Sequence, residues 1–311
     1  MLCKLDSLAS AGEPFLFFTD FQASKFHVFN LSELEENDIE FCFDENFSYK
    51  KHNLSLQKFP LSFETYKEKF DKVIENIKAG NTYLFNLTAP TTLTCKHDFK
   101  EIFEAANAPF KLRYKNEFLC FSPERFITIT DNTISTYPMK GTIDASTADA
   151  EKIILENVKE MAEHVMIVDL LRNDLSIIAS DVKVEKFRYT EIINAGEKKL
   201  LHVSSKIVAT LPEGWRNNLG KILKKLLPAG SISGTPKRKT VELIKKIERY
   251  ERDYFSGVFG VYDGKTLQSA VMIRFIENQN GTFVYKSGGG ITHDSNAEDE
   301  YNELLDKIYI P

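Results

Sequence analysis

The sequence predicts an α+β fold built mainly from antiparallel sheet, and three patterns carry that prediction. Short runs of alternating apolar and polar residues recur along most of the chain. Two of the breaks between such runs, Asp263-Gly264 and Asn280-Gly281, are hairpin turn chemistry. Helical periods lie between long strand meanders, with no internal repeat and no Pro/Gly/Ser-rich linker.

Residues 1–57 read as short strands, at 14–21, 25–31 and 39–45. A helix follows from Ser62, with apolar residues at 63, 66, 70, 73, 74 and 77 and Gly80 just past its end. Strands are predicted at 82–89, 117–123, 125–130 and 133–138. Lys140 then falls in a turn between Pro138 and Gly141. A single long helix is predicted from Thr147 to Leu175, strands at 182–189 and 200–211, and a helix near 214–227. Another opens at Pro236, a residue suited to a first helical turn. Strands joined by the two hairpin turns come next, and a helix over 297–309 closes the chain. The whole reads as one domain, with 1–57 its short N-terminal strand-rich part and 58–311 its main body.

Composition narrows the function. Among 311 residues, Lys and Arg number 40 and Asp and Glu 45, for a net charge of −5. The basic run "PKRK" is too short for an electrostatic footprint, so nucleic acid is excluded as a partner. Cys3, Cys42, Cys95 and Cys120 are widely spaced without a C-x-x-C pair, which argues for a reducing compartment and against zinc. No apolar run reaches secretory or membrane-spanning length, so a cytoplasmic protein with no membrane association is expected.

Several residues invite chemistry. Glu160 and Glu163 share a helix face at a spacing of three, and Glu300 and Glu303 repeat that spacing on the last helix. Four converging carboxylates repel one another unless they are protonated or bridged, and Mg²⁺ shared with an anionic substrate is a natural bridge. Helix-dipole stabilisation of Glu300 and a solvated Glu160 are the plainer reading. The run Gly288, Gly289, Gly290 allows backbone amides to approach an anion, or is simply a flexible loop. Lys140 is a nucleophile if its amine is partly neutral, and otherwise a solvated turn lysine. Glu124, sixteen residues upstream, is either an acid beside that amine or the partner of Arg125 or Lys140 in an ion pair. Arg274 lies in an apolar strand-like run and needs an anion, internal or substrate. For His202, a satisfied core histidine is the default.

Taken together, eight stretches give a stronger reading. "SPERF", "PMKGT", "EHVMIVDLLRNDL", "HVSS", "GSISGTPKRK", "AVMIRF", "SGGGIT" and "EYNELLDK" stand in the order found in chorismate-utilising enzymes. The resemblance runs from about residue 60 to the end. That family includes anthranilate synthase component I, aminodeoxychorismate synthase component I, and the isochorismate and salicylate synthases. Within it the chain looks most like the aminodeoxychorismate branch, which carries a lysine at the position of Lys140 where anthranilate synthases carry alanine.

The resemblance implies a single domain of the anthranilate synthase component I type, with two antiparallel sheets face to face and helices outside. It implies amination of chorismate to 4-amino-4-deoxychorismate for 4-aminobenzoate and folate synthesis. The Lys140 amine would attack C2 as the 4-hydroxyl leaves, Glu124 would be the general acid, and ammonia would then displace the lysine through C4. Glu163 and Glu303 would hold Mg²⁺ directly, with Glu160 and Glu300 reaching it through water. Arg274, Lys307 and the amides of Gly288, Gly289 and Gly290 would meet the substrate carboxylates, with Thr142 and His202 also contacting substrate. Ammonia would come from a separate glutamine amidotransferase subunit.

Departures from the family pattern are Leu84, where relatives carry glutamine or a water-activating lysine, Phe255 in place of tyrosine or tryptophan, and Leu304 in place of a frequent threonine. A lysine base for water is thus missing, and a hydroxyl contact from residue 255 is not expected. No LLES-type segment is found, so feedback by tryptophan is not expected. The rivals are anthranilate synthase component I and a catalytically silent anion-binding subunit of the same fold.

Overall fold

The computed structural model describes residues 2–44, 54–195 and 198–311. Helix α1 (Leu2–Ala11) precedes strands β1 (Phe15–Thr19), β2 (Phe26–Asn30), β3 (Ile39–Phe43) and β4 (Gln57–Phe59). Helix α2 (Phe63–Lys78), strand β5 (Leu84–Thr94) and helix α3 (Phe99–Ala105) follow. A meander then runs through β6 (Phe110–Tyr114), β7 (Phe118–Ser122), β8 (Arg125–Thr130), β9 (Thr133–Thr136) and β10 (Met139–Asp144). Helices α4 (Ala150–Glu156) and α5 (Val158–Ser176) lead into the long hairpin β11 (Ser180–Ala195) and β12 (Lys198–Thr210). Helix α6 (Leu219–Leu226), the short β13 (Gly234–Thr235) and α7 (Lys237–Glu248) come next. Strands β14 (Val258–Tyr262), β15 (Thr266–Val271), β16 (Phe275–Gln279) and β17 (Thr282–Ile291) precede the last helix, α8 (Ala297–Asp306).

Among the described residues the strands form two sheets, of nine and eight strands. The first runs β10-β12-β9-β8-β15-β14-β1-β2, with β11 also on β12. The second runs β13-β5-β17-β16-β7-β6-β3, with β4 on β5. Every pairing is antiparallel. The sheets meet through a cluster that takes Leu16, Phe18, Phe259 and Ala270 from the first and Phe110, Leu112, Phe118 and Phe275 from the second. Strand β1 is buried at every position, because Phe15 and Phe17 point the other way into the larger, helix-covered core. A strand covered on both faces reads as an unbroken apolar run, which "FLFFT" is.

The expected two-sheet α+β architecture is therefore present, with local corrections. The N-terminal part is not all strand: Leu5, Leu8 and Ala9 form the buried face of α1, a helical period overlooked in favour of the aromatic strands after it. Asp6 on α1 accepts the amide of Gly220 at 2.7 Å, satisfying a first-turn donor of α6 that its own N-cap leaves open. Helix α3 and strand β6 were not predicted, and the helix near 214–227 begins as a 3₁₀ turn before α6. The single helix expected over 147–175 is two helices, since Asn157 takes an extended backbone, ends α4, and accepts the Glu160 amide as N-cap of α5. Glu45, the last residue of the third predicted strand, lies outside the described residues.

Candidate active site

The site forms where the β10 edge of the first sheet, α5, and the β17–α8 corner of the second sheet converge. Lys140 is not in a turn, as expected, but in strand β10. The β10–β12 register slips between Met139 and Thr142, so Lys140 and Gly141 form a bulge. Gly141 has φ of 103°, a backbone that a side chain would strain, and a Cβ there would meet Glu160 Oε2 at 3.4 Å. Pro138 and Gly141 thus shape a bulge rather than a corner. The bulge turns Lys140 toward α5, where its Nζ pairs with Glu163 Oε2 at 2.7 Å. Burial works against the charge of Lys140, but Glu163, with Glu303 and Glu160 behind it, outweighs burial and holds the amine above its ordinary pKa.

The glycine run is likewise not a loop. Gly288, Gly289 and Gly290 lie within β17, paired in register with Thr88, Leu87 and Asn86 of β5. At Gly289 the missing side chain has a definite use, since a Cβ would stand 3.2 Å from both Glu300 Oε2 and Glu303 Oε1. The bare strand lets the carboxylates of α8 lie against it. Asn296 caps α8 by accepting the amides of Glu298 and Asp299, which fixes the helix over the strand end.

A cavity of about 790 Å³ opens there, lined by Glu124, Lys140, Thr142, Glu160, His202, Arg274, Glu303 and Lys307 among others. Eight of the expected residues are thus brought to one space. Glu163, Glu300 and the three glycines are not among the residues that line it. Lys307 pairs with Glu303 and donates to the Gly288 carbonyl at 2.9 Å. Burial lowers the pKa of Lys307 despite that partner, while Lys307 overcomes burial to hold Glu303 low.

Arg274 is not in a strand; it sits in the link between β15 and β16 with φ of 52°, its guanidinium 5.5 Å from the Tyr309 ring centroid. Its Nε is buried without a hydrogen-bond partner among the described residues. His202 faces Thr142 across β10–β12, with Nε2 3.5 Å from Oγ1. Burial and then Arg274 push its pKa down to about 4, so the ring is neutral near neutral pH.

Glu124 pairs with neither Arg125 nor Lys140. Its Oε1 accepts the Ser231 hydroxyl at 2.5 Å. Burial raises its pKa, against the pull of Ser231, Lys307 and Arg274. Ser231 was missed as a site residue although its motif "GSISGTPKRK" was singled out. Nothing local marks which of that motif's polar residues reaches a strand end from the other sheet.

The four glutamates converge, but Lys140 and Lys307 occupy two of them, and no three His, Cys, Asp or Glu among the described residues form a ready cation cage. Two oxygens remain uncompensated: Glu160 Oε2 and Glu300 Oε2 are buried with no hydrogen-bond partner among the described residues. Ser295 occupies the other Glu300 oxygen at 2.7 Å, and burial raises the pKa of that carboxyl, with Glu303 adding to it. An all-oxygen donor set with orphaned buried atoms fits a hard divalent cation. Leu84 is buried, and a Cβ on Gly290 would touch it at 3.3 Å. Phe255 lies in the core between the sheets, outside the cavity lining. Leu304 is fully buried, so its side chain serves packing.

No helix among the described residues is long and apolar enough to cross a membrane, which says nothing of β-barrels. Comparison with known proteins agrees with the geometry. A protein of Haemophilus influenzae named an uncharacterized PabA-like protein is 47% identical over 302 residues, 96% of this chain and 92% of that one. Aminodeoxychorismate synthase component 1 of Escherichia coli K12 is 34% identical over 260 residues, 79% of this chain but 56% of that protein. In structure, the menaquinone-specific isochorismate synthase of Escherichia coli superposes with a TM-score of 0.75 at 16% identity, over 98% of this chain and 79% of that one. Anthranilate synthase component I of Streptococcus pneumoniae superposes with a TM-score of 0.69 at 22% identity, over 84% of this chain and 60% of that one, and both likenesses bear on fold alone. The profile of the chorismate binding enzymes matches residues 31–311. This chain therefore belongs to the chorismate-binding enzyme family.

Proposed function

We propose that the protein aminates chorismate at C4 to give 4-amino-4-deoxychorismate, with Lys140 as a transient covalent nucleophile. The observation that carries this reading is one cavity holding a partly buried lysine paired with Glu163 and a carboxyl whose pKa is raised, beside Arg274 and Lys307. The aminodeoxychorismate synthase relative supports the substrate class.

Arg274 and Lys307 bind the substrate carboxylates, which gives the unpartnered Nε of Arg274 an acceptor. Lys140 loses one proton before it attacks, and the Glu163 carboxylate in contact with it is the nearest acceptor. The new bond joins Nζ to C2, the C1=C2 pair moves to C1–C6 and the C5=C6 pair to C4–C5, and the C4–oxygen bond breaks. Glu124, protonated because of its raised pKa, gives its proton so that the hydroxyl leaves as water. Ammonia then bonds to C4, the double bonds shift back, and the C2–Nζ bond breaks with its electron pair on the lysine nitrogen, which takes back the proton from Glu163; the proton shed by the new C4 ammonium restores Glu124. Mg²⁺ fits the carboxylates Glu160, Glu163, Glu300 and Glu303; bound there, it would neutralise their mutual repulsion and draw in an anionic substrate. Thr142 and neutral His202 offer uncharged polar contacts to the ring, and the strand amides at Gly288, Gly289 and Gly290 border the carboxylate end. Ammonia is supplied by a separate glutamine amidotransferase, and the product feeds 4-aminobenzoate and folate synthesis.

The test is intact-protein mass spectrometry of wild type and Lys140→Ala after mixing with chorismate and Mg²⁺ without ammonia. A substrate-sized adduct on wild type that is missing from the variant is expected. Absence of any adduct, with anthranilate released once ammonium is added, would overturn the reading in favour of the anthranilate branch.

A further inference from the structure

We propose that His164 is a positioning residue that holds the backbone of Lys140 in its bulge, an inference that rests on the reading of Lys140 as nucleophile. His164 is fully buried on α5, next to Glu163. Its Nδ1 lies 3.3 Å from the Lys140 carbonyl oxygen and its Nε2 lies 2.7 Å from Ser205 Oγ. A carbonyl only accepts, so Nδ1 carries the proton. Nε2 then accepts the Ser205 hydroxyl, whose oxygen accepts the Arg188 amide at 2.9 Å. The ring N–H, the Ser205 hydroxyl and the Arg188 amide each meet an acceptor with the imidazole neutral.

The bulge explains why a donor is required at this point. The slipped register leaves Lys140 out of the β10–β12 register pairs, and a partly buried main-chain carbonyl needs a donor from elsewhere. Helix α5 supplies what the ladder does not. Consecutive residues grip one lysine at two levels, Glu163 at the amine and His164 at the main chain. The chain extends further, because the Arg188 guanidinium donates to the carbonyls of Ile154 and Leu155 at the end of α4. The lysine is thereby tied to α4, α5, β11 and β12, so its aim is set by tertiary contacts rather than by the strand alone.

The test compares wild type, His164→Asn and His164→Leu. Asparagine keeps a donor near the place of Nδ1; leucine fills the space without one. Reductive methylation of Lys140 with formaldehyde and cyanoborohydride, read by peptide mass spectrometry, reports its placement with no chorismate present. Lys140 should react about fivefold faster in His164→Leu and within about twofold of wild type in His164→Asn. Equal rates in His164→Leu and wild type, or His164→Asn as fast as His164→Leu, would overturn the proposal. If His164→Leu does not fold, Ser205→Ala serves instead: it frees the ring from β12 and should raise Lys140 methylation about twofold or more, and no rise is equally fatal. In turnover with chorismate and ammonium, His164→Leu should lose about 10- to 100-fold in kcat with KM within about threefold, and His164→Asn should recover most of it. A KM rise with kcat unchanged would assign His164 to substrate binding and overturn the positioning role. The expected methylation pattern in a wild type that forms no Lys140 adduct would sink the nucleophile reading while leaving the grip of His164 on Lys140 established.

Discussion

Lys286 and Gly288 stand two residues apart on β17 and belong to ionic clusters of opposite character. In the first, Arg252 donates from Nε and Nη2 to both oxygens of Glu248 and reaches the carbonyls of Ile232 and Asn86. Glu248 also accepts the amide and hydroxyl of Thr88, each at 2.8 Å. Lys286 closes the set on the carbonyls of Glu251 and Arg252 and on Glu277. The carboxylate and guanidinium at its centre are saturated. In the second cluster Glu160 Oε2, Glu300 Oε2 and Arg274 Nε are buried and have no partner among the described residues. A buried polar atom without a partner costs about 1–3 kcal/mol. Full pairing marks a cluster that ties the second sheet to α7; the missing partners mark the cluster that the proposed ligands would complete.

Removing a partner from the saturated cluster should cost most. Arg252→Met leaves Glu248 buried and uncompensated, and urea unfolding should show a loss of about 3–5 kcal/mol. A loss under about 1 kcal/mol would erase the contrast.

The unsaturated cluster should respond with the opposite sign. Without metal, Glu300→Gln removes a carboxylate that crowds Glu303 and should stabilise the fold by about 0.5–2 kcal/mol. Wild type should gain about 1.4–2.7 kcal/mol from Mg²⁺ at 10 to 100 times its Kd, and the variant should lose most of that gain. Destabilisation of the metal-free variant would mean that Glu300 is a structural residue.

Glu124 sharpens the comparison through pH. Its folded pKa is raised, so below the ordinary carboxyl value both states hold the proton and pH has no effect. Between the ordinary and the raised value the folded state binds more protons than the unfolded one, so stability falls as pH rises and levels off above the raised value. Glu124→Gln removes that slope, and the variant should gain steadily on wild type as pH rises across the window. Its turnover should fall by about 10²–10⁴. An unchanged slope in pH-dependent thermal unfolding would place the titration elsewhere.

The smallest effect belongs to a solvated pair. Lys67 and Asp71 on α2 are 2.7 Å apart and half exposed, and Lys67→Ala should change stability by no more than about 0.5 kcal/mol in the same urea assay.

Elements with a local signal were legible. Helix α2 has its Ser62 cap accepting the Thr65 amide, and Asn280 and Gly281 both take the positive φ that a tight hairpin turn demands. Elements whose signal is shared between two conformations were not. The glycine run suits a loop or a strand in close contact, and only the β5 pairing together with the α8 carboxylates decided for the strand. Arg274 sits in a run whose apolar pattern is strand-like, yet the chain breaks there to pass from one sheet to the other.

By itself the sequence determined the chemical inventory: two glutamate pairs each on one helix face, one lysine between Pro138 and Gly141, and ordered motifs that match one family. Periodicity is a property of a single element, so it names the face and leaves the neighbour open. The neighbours were decided only in the tertiary structure. There the β10 bulge meets α5, Ser231 reaches Glu124, and Gly289 lies under α8. Those contacts join residues far apart in the chain, and they form because each sheet must bury its apolar face before any charged group can find its partner.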